Sequence, residues 1–285
     1  MRFGCHDFPE DRLLVMAVIN RTPDSFYDKG RHYSLPDAVR AVDAAVAGGA
    51  DIVDIGGVKA APGPEVPVSQ EIERIVPLVT EIRRLHPKVV ISVDTWRSEV
   101  AAAGADAGAS LINDAWGGYD PDLAKVAARY GCGLVCTHAG TLVPRTEARG
   151  LHYTDVVVDV TVRLSELADR AVRLGVAKES ILVDPGHDFA KNTRHSLEVT
   201  RRIDEIVGVG WPVLVAVSNK DFIGESLDLP VTERLEGTLA VISLCAWMGV
   251  RVFRVHNVKE ARRAIDMVSV VMGKKQPLIA KRATS

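Results

Sequence analysis

The chain alternates between two hydrophobic rhythms, and this alternation constrains its fold more than any other feature. Short β-branched runs fall at Leu13 to Ile19, Asp51 to Ile55, Val89 to Val93, Ser110 to Asn113, Gly133 to Thr137, Ile181 to Asp184, Val213 to Val217 and Arg251 to Val255. Between them lie longer, Ala-rich stretches of helical period, among them Pro36 to Ala47, Ser69 to Leu85, Ser98 to Ala103, Pro121 to Arg129 and Tyr153 to Leu174. A last helix is expected over Lys259 to Val271. Strands separated by helices pair in parallel, because a crossover helix returns the chain to the same end of the sheet. Glycines such as Gly104, Gly131, Gly175 and Gly249 fall where helix C-caps belong. Eight strands with intervening helices predict an α/β fold of the (β/α)₈ TIM-barrel type. The alternative, a doubly wound sheet, lacks its G-x-G-x-x-G turn after the first strand, and no P-loop pattern is present. With no linker or shift in composition, residues 1–273 are expected to form a single barrel domain, with 274–285 a polar tail.

Composition narrows the function classes. The chain has 285 residues, 47% of them hydrophobic and 25% charged, with a formal net charge of -2. Basic residues are scattered and matched by acids, and no run of Lys/Arg is interleaved with aromatics, so nucleic acid is not an expected partner. The longest apolar stretch, Ala240 to Val250, is about half of what a bilayer demands, so no membrane span is expected. The first residues, Met1 to Arg12, carry Asp7, Glu10 and Asp11 and lack the apolar core of a signal peptide. Cys5, Cys132, Cys136 and Cys245 are too few for a disulfide framework, and Cys132 and Cys136 read as buried, inert thiols. A reducing, cytoplasmic setting follows as the expectation.

Barrels of this type place their active sites at the C-terminal ends of the strands. Nearly every run here ends polar: Asn20-Arg21, Asp54, Asp94-Thr95, Asn113-Asp114, Thr137-His138, Asp184, Ser218-Asn219-Lys220, and Arg254 with His256. Any one of these is as well explained as a helix N-cap. Capping does not account for Lys220, Arg254 and His256, and cations converging on one rim suit an anion. The carboxylates and amide beside them suit a ligand presenting N–H donors. Trp96 and Trp116 directly follow strand ends, where they pack the rim or wall a pocket. Neither zinc-ligand spacing nor a G-x-S-x-G elbow is present.

In order and spacing, Ala17 to Phe26, Ile52 to Gly57, Ser92 to Thr95, Ile112 to Asp114, Asp184 to Gly186, Lys220 and Arg254 to His256 resemble dihydropteroate synthase. The resemblance covers almost the whole chain. That family condenses a pterin-methyl pyrophosphate with p-aminobenzoate, releases pyrophosphate with Mg²⁺, and is usually dimeric. By resemblance, Asp94, Asn113, Asp184 and Lys220 would hydrogen-bond the pterin, Arg254 would cover its face, and Phe189 would lie nearby. Asn20 would hold the metal, with Arg254 and His256 on the pyrophosphate and Ser218 facing the aminobenzoate carboxylate.

The departures cluster. Where the family reads Glu-Ser-Thr-Arg-Pro-Gly, this chain reads Val58-Lys59-Ala60-Ala61-Pro62-Gly63, and Asn219 replaces an arginine beside Lys220. Thr137 stands for a Met, and His187-Asp188 for Phe-Gly, with Asp188 expected to repel pyrophosphate unless it faces away. The resemblance therefore implies a homologue that keeps the pterin and pyrophosphate pocket without efficient condensation. An active synthase, a related pterin reaction such as methyl transfer, and a non-catalytic binding role are the alternatives.

Overall fold

A computed structural model describes residues 1–22, 34–146 and 151–279; the Pro23 to Phe26 part of the first motif and the end of the tail lie outside these. The barrel strands are β3 (Leu14–Asn20), β4 (Ile52–Gly56), β5 (Val90–Asp94), β6 (Leu111–Asp114), β7 (Gly133–Thr137), β8 (Ile181–Asp184), β9 (Leu214–Val215) and β10 (Val252–Val255). They follow a short antiparallel hairpin, β1 (Arg2–Phe3) and β2 (His6–Asp7). All barrel pairings are parallel, in the order β8-β7-β6-β5-β4-β3-β10-β9. A single parallel bridge, Val183 to Val213, joins the two ends of that order and closes the barrel. Closure is thin there for a local reason. Pro212 has no N–H to offer, and the chain turns at Val217, whose carbonyl accepts from Lys220 N, so the expected strand over Val213 to Val217 contracts to two residues.

The helices are α1 (Leu35–Ala47), α2 (Val68–Leu85), α3 (Ser98–Asp106), α4 (Leu123–Tyr130), α5 (Val156–Arg173), α6 (Thr193–Arg201), α7 (Ile203–Val207), α8 (Asp221–Leu227), α9 (Leu235–Trp247) and α10 (Val258–Val271). The eight parallel strands and the helices between them bear out the (β/α)₈ reading. Boundaries move where a cap decides them. The helix expected from Tyr153 begins at Val156, because the Asp155 carboxylate accepts from Val157 N and Val158 N.

The strand alternation sorts the core into two shells. Val15, Ala17, Val53, Ile55, Ile91, Val93 and Ile112 face outward into the layer beneath the helices. Leu14, Met16, Ile52, Val90, Leu111, Val135, Leu182, Leu214 and Val252 point inward and fill the lower barrel. Phe3 of the N-terminal hairpin plugs that lower end, and Gly133 is required beneath it, since a Cβ there would come within 2.6 Å of the Phe3 ring. Two residues further along, the inward series turns polar, with Asp54, Ser92, Asn113, Thr137, Asp184 and Arg254. The same period-two pattern that builds the apolar plug thus lifts a polar floor above it.

Candidate functional site at the C-terminal rim

Arg254 organises the floor. Its Nε donates to Asp54 Oδ2 at 2.6 Å and its Nη2 to Asp94 Oδ2 at 2.7 Å, while Asn113 Nδ2 donates to the same Asp54 oxygen at 3.0 Å. Burial pushes the Asp94 carboxyl up to about 7 despite the pull of Arg254, with Asp54 adding to the rise. Asp54 Oδ1 is buried and has no hydrogen-bond partner among the described residues. A buried carboxylate oxygen left this way is an acceptor suited to a ligand N–H. The sequence placed Asp54 at a strand end but assigned it no role. Its signal was an acidic residue at an inward position of a strand otherwise apolar.

The opposite side of the floor is cationic. Lys220 Nζ lies 4.9 Å from the centre of the Phe189 ring and donates to the His187 carbonyl. Burial lowers its pKa, with Asp188 and Asp184 opposing. Asp184 accepts from Gly186 N at 2.7 Å, and its own pKa is raised, first by burial, against Lys220. Phe189 continues a row of edge-on aromatic contacts, Phe189 to Trp116 at 5.3 Å and Trp116 to Trp96 at 6.2 Å. Asp114 fixes Trp116 through hydrogen bonds from Trp116 N and Gly118 N, so this strand-end acid shapes a turn.

Asn20, Asp94, Phe189, Lys220, Arg254 and His256 line one cavity of about 590 Å³, together with Thr22 and Trp116. Asn113, Asp184 and Ser218 are buried in the wall behind them. Ser218 Oγ lies 3.0 Å from His256 Nδ1 and accepts from His256 N at 3.2 Å, so its hydroxyl is engaged with the imidazole. Burial, then Arg254 and Lys220, push His256 down to about 3, which keeps its ring neutral at pH 7. Asp188 also borders the cavity, but its carboxylate accepts from Asp221 N and from Ser196 Oγ, both at 2.9 Å. That engagement ties the acid to α6 and α8.

The β4 loop covers the mouth. Val58, Lys59, Ala60, Ala61 and Pro62 line the same cavity, with Leu142 and Thr146 from the β7 loop. Arg145 holds the loop from outside, donating to Ala61 O at 3.3 Å and to Pro64 O. Asn219, where the family carries an arginine, is turned inward: it is buried, its N–H donates to Thr238 Oγ1 at 3.0 Å, and its φ is +56°. The cavity therefore has a polar floor and a mouth roofed largely by small apolar side chains.

A barrel with this floor is that of a pterin-binding enzyme, and the chain belongs to that family: the family model described as pterin binding enzyme matches residues 16–256. More particularly, the chain is 52% identical over 271 residues to the inactive dihydropteroate synthase 2 of Mycobacterium leprae, spanning 94% of this chain and 93% of that one. It is 39% identical to the dihydropteroate synthase of Bacillus subtilis, over 93% and 90% of the two chains. A crystal structure of the Yersinia pestis dihydropteroate synthase with a sulfonamide drug complex superposes with a TM-score of 0.90 at 32% identity, covering 96% of this chain and 99% of that one.

Proposed function

We propose that this protein is a dihydropteroate synthase paralogue that binds a pterin and pyrophosphate but does not condense a pterin pyrophosphate with p-aminobenzoate efficiently. The observation that carries the reading is the asymmetry of the cavity: Asp94, Lys220 and Arg254 line its floor with Asp54, Asn113 and Asp184 buried behind them, whereas the β4 loop roofs its mouth with Val58, Ala60, Ala61 and Pro62 and a single cation, Lys59. The floor groups accept from the amino and ring N–H groups of a pterin. Lys220 donates to its carbonyl side, and the Arg254 guanidinium, with Phe189 opposite, packs on its flat faces. Asn20, Arg254 and His256 take the pyrophosphate.

Mg²⁺ fits this assignment only as a shared ligand. Asn20 Oδ1 and Asp94 Oδ2 face one another across Gly56, whose Cβ, if it had one, would meet them in ordinary contact at 3.5 and 3.7 Å. No group of three His, Cys, Asp or Glu suited to a metal occurs among the described residues. A Mg²⁺ held by one protein amide oxygen takes its other ligands from phosphate and water, as this ion commonly does. When bound it would supply charge neutralisation on the pyrophosphate.

What the mouth lacks is donors at positions 60, 61 and 219; Lys59 is the one cation lining it from the β4 loop. The side chains of Ala60, Ala61 and the inward-turned Asn219 offer nothing to a leaving pyrophosphate or an aminobenzoate carboxylate, and each lost charge-assisted hydrogen bond is worth about 1.5 to 3 kcal/mol. We place the protein in the cytoplasm, in keeping with its free thiols, and assign it a homodimer through α9 and α10. Leu244, Trp247 and Met267, each 58% exposed, and Val271, 62% exposed, support that surface. Residues 1–273 are assigned to one domain and 274–285 to a tail. Calorimetric titration with 6-hydroxymethylpterin and with pyrophosphate is expected to show binding of both. An assay with the pterin pyrophosphate and p-aminobenzoate is expected to stay far below roughly 1 turnover per second, and a rate at or above that overturns the reading.

A further inference from the structure

Lys191 is 5% exposed and lies outside the cavity, behind the turn that follows β8. Its Nζ donates to three backbone carbonyls, Phe189 O at 3.0 Å, Gly186 O at 3.1 Å and His138 O at 3.3 Å, and lies 2.7 Å from His138 Nδ1. On the far side, His138 Nε2 is 2.7 Å from Asp159 Oδ1, whose side chain is 52% exposed on α5. With Nδ1 accepting from the ammonium, whose three hydrogens are shared among it and the three carbonyls, the Nε2–H donates to Asp159. Burial, above all, brings the Lys191 pKa down to about 7, and the groups facing it are Asp184, Lys220, Asp159 and Asp188.

The turn that Lys191 grips has one backbone bond of its own, Phe189 N to Gly186 O at 3.0 Å, and passes through two non-glycine residues of positive φ. Asp188 has φ +64° and Ala190 has φ +49°, the left-handed region that disfavours an L-residue. Asp188 is compensated by its own side-chain bonds, but Ala190 has none to make. Gly186, with φ +66°, sits so close beneath the β7 loop that a Cβ would fall 2.1 Å from His138 O. Lys191 is the group that ties Gly186, Phe189 and the β7 loop to one point, with Tyr153 Oη adding a bond to Ala190 O at 2.8 Å.

We propose that Lys191 is a positioning residue that sets the Phe189 ring against the ligand floor, so that affinity for the pterin depends on a lysine that never touches it. This rests on the pterin assignment made above, and the test separates the two. Lys191→Met keeps the volume and removes the donors. Amide hydrogen exchange of residues 186–190 is expected to speed up by about tenfold or more, and the 6-hydroxymethylpterin Kd to weaken by about tenfold, while the pyrophosphate Kd holds. In a Phe189→Ala background the same substitution is expected to weaken pterin binding little further, because its effect runs through that ring. Additive losses in that cycle, or unchanged exchange and affinity in Lys191→Met, overturn the proposal. Lys191→Gln, which retains two donors, serves if the Met variant does not fold. Wild-type protein that binds neither probe overturns the pterin assignment, and the exchange experiment then still decides the role of Lys191.

Discussion

Arg254 carries opposite obligations at one point. It neutralises Asp54 and Asp94, and it is also the cation offered to a ligand. Removing one partner from a buried ionic cluster typically costs about 3 to 5 kcal/mol, because the charges left behind are uncompensated. Arg254→Met is therefore expected to lose stability on that scale in urea denaturation at pH 8, where Asp94 is ionised. At pH 5, with Asp94 protonated, the loss should be visibly smaller. A loss that does not change with pH would mean that the guanidinium contributes by packing alone. Asp94 itself gives a signed pH dependence. Its folded pKa, about 7, lies above the ordinary carboxylate value, so the folded state binds the extra proton and the contribution to stability is full at low pH. It is lost as pH rises through 7. Asp94→Asn should thus remove its share of the fall in stability between about pH 4 and 7. Asp114, raised to about 6, remains in the variant and should leave a residual slope at the lower end of that window.

At the scale of elements, the β4 loop separates position from chemistry. Arg145 fixes its backbone from outside and Ala61 borders the cavity, so what is missing is a side chain rather than a place for one. Ala61→Arg is expected to tighten pyrophosphate binding roughly ten- to a hundredfold in calorimetry, the worth of one charge-assisted bond of about 1.5 to 3 kcal/mol. Unchanged affinity would move the deficit to Asn219. The β8 turn shows where sequence reading stops. Asp94, Asn113, Asp184 and Arg254 were legible because a strand presents every second residue to one face, and a polar residue on an inward face is visible as a break in the pattern. Lys191 follows its strand by seven positions, in a loop without period, and a loop lysine ordinarily reads as solvated. Only the turn that buries it reveals its partners. The N-terminal hairpin was hidden for a related reason: two-residue strands are too short to carry any alternation, so Phe3 could not be assigned to the barrel plug.

For the whole molecule, the two shells of apolar residues account for the barrel and leave apolar side chains exposed on α9 and α10. α9 carries a single charged residue, Glu236, and is apolar around most of its circumference, which is the composition of a helix covered on both sides. Ile242, Cys245 and Ala246 meet the core, while Leu244 and Trp247 point away from it at a spacing of three. Met267 and Val271, four apart on α10, do the same, and α9 packs against α10. Exposed apolar residues in isolation are ordinary, but two neighbouring helices presenting them together are the mark of an association surface. In the homodimer proposed above, a two-fold pairing of this face with itself would bury Trp247 and Leu244 away from the cavity rim, which lies at the strand ends. Trp247→Glu is expected to shift the protein from twice the chain mass to a monomer in sedimentation velocity. Pyrophosphate affinity should stay unchanged. A wild-type protein that sediments as a monomer at micromolar concentration, or a variant that remains dimeric, would remove α9 and α10 as the interface.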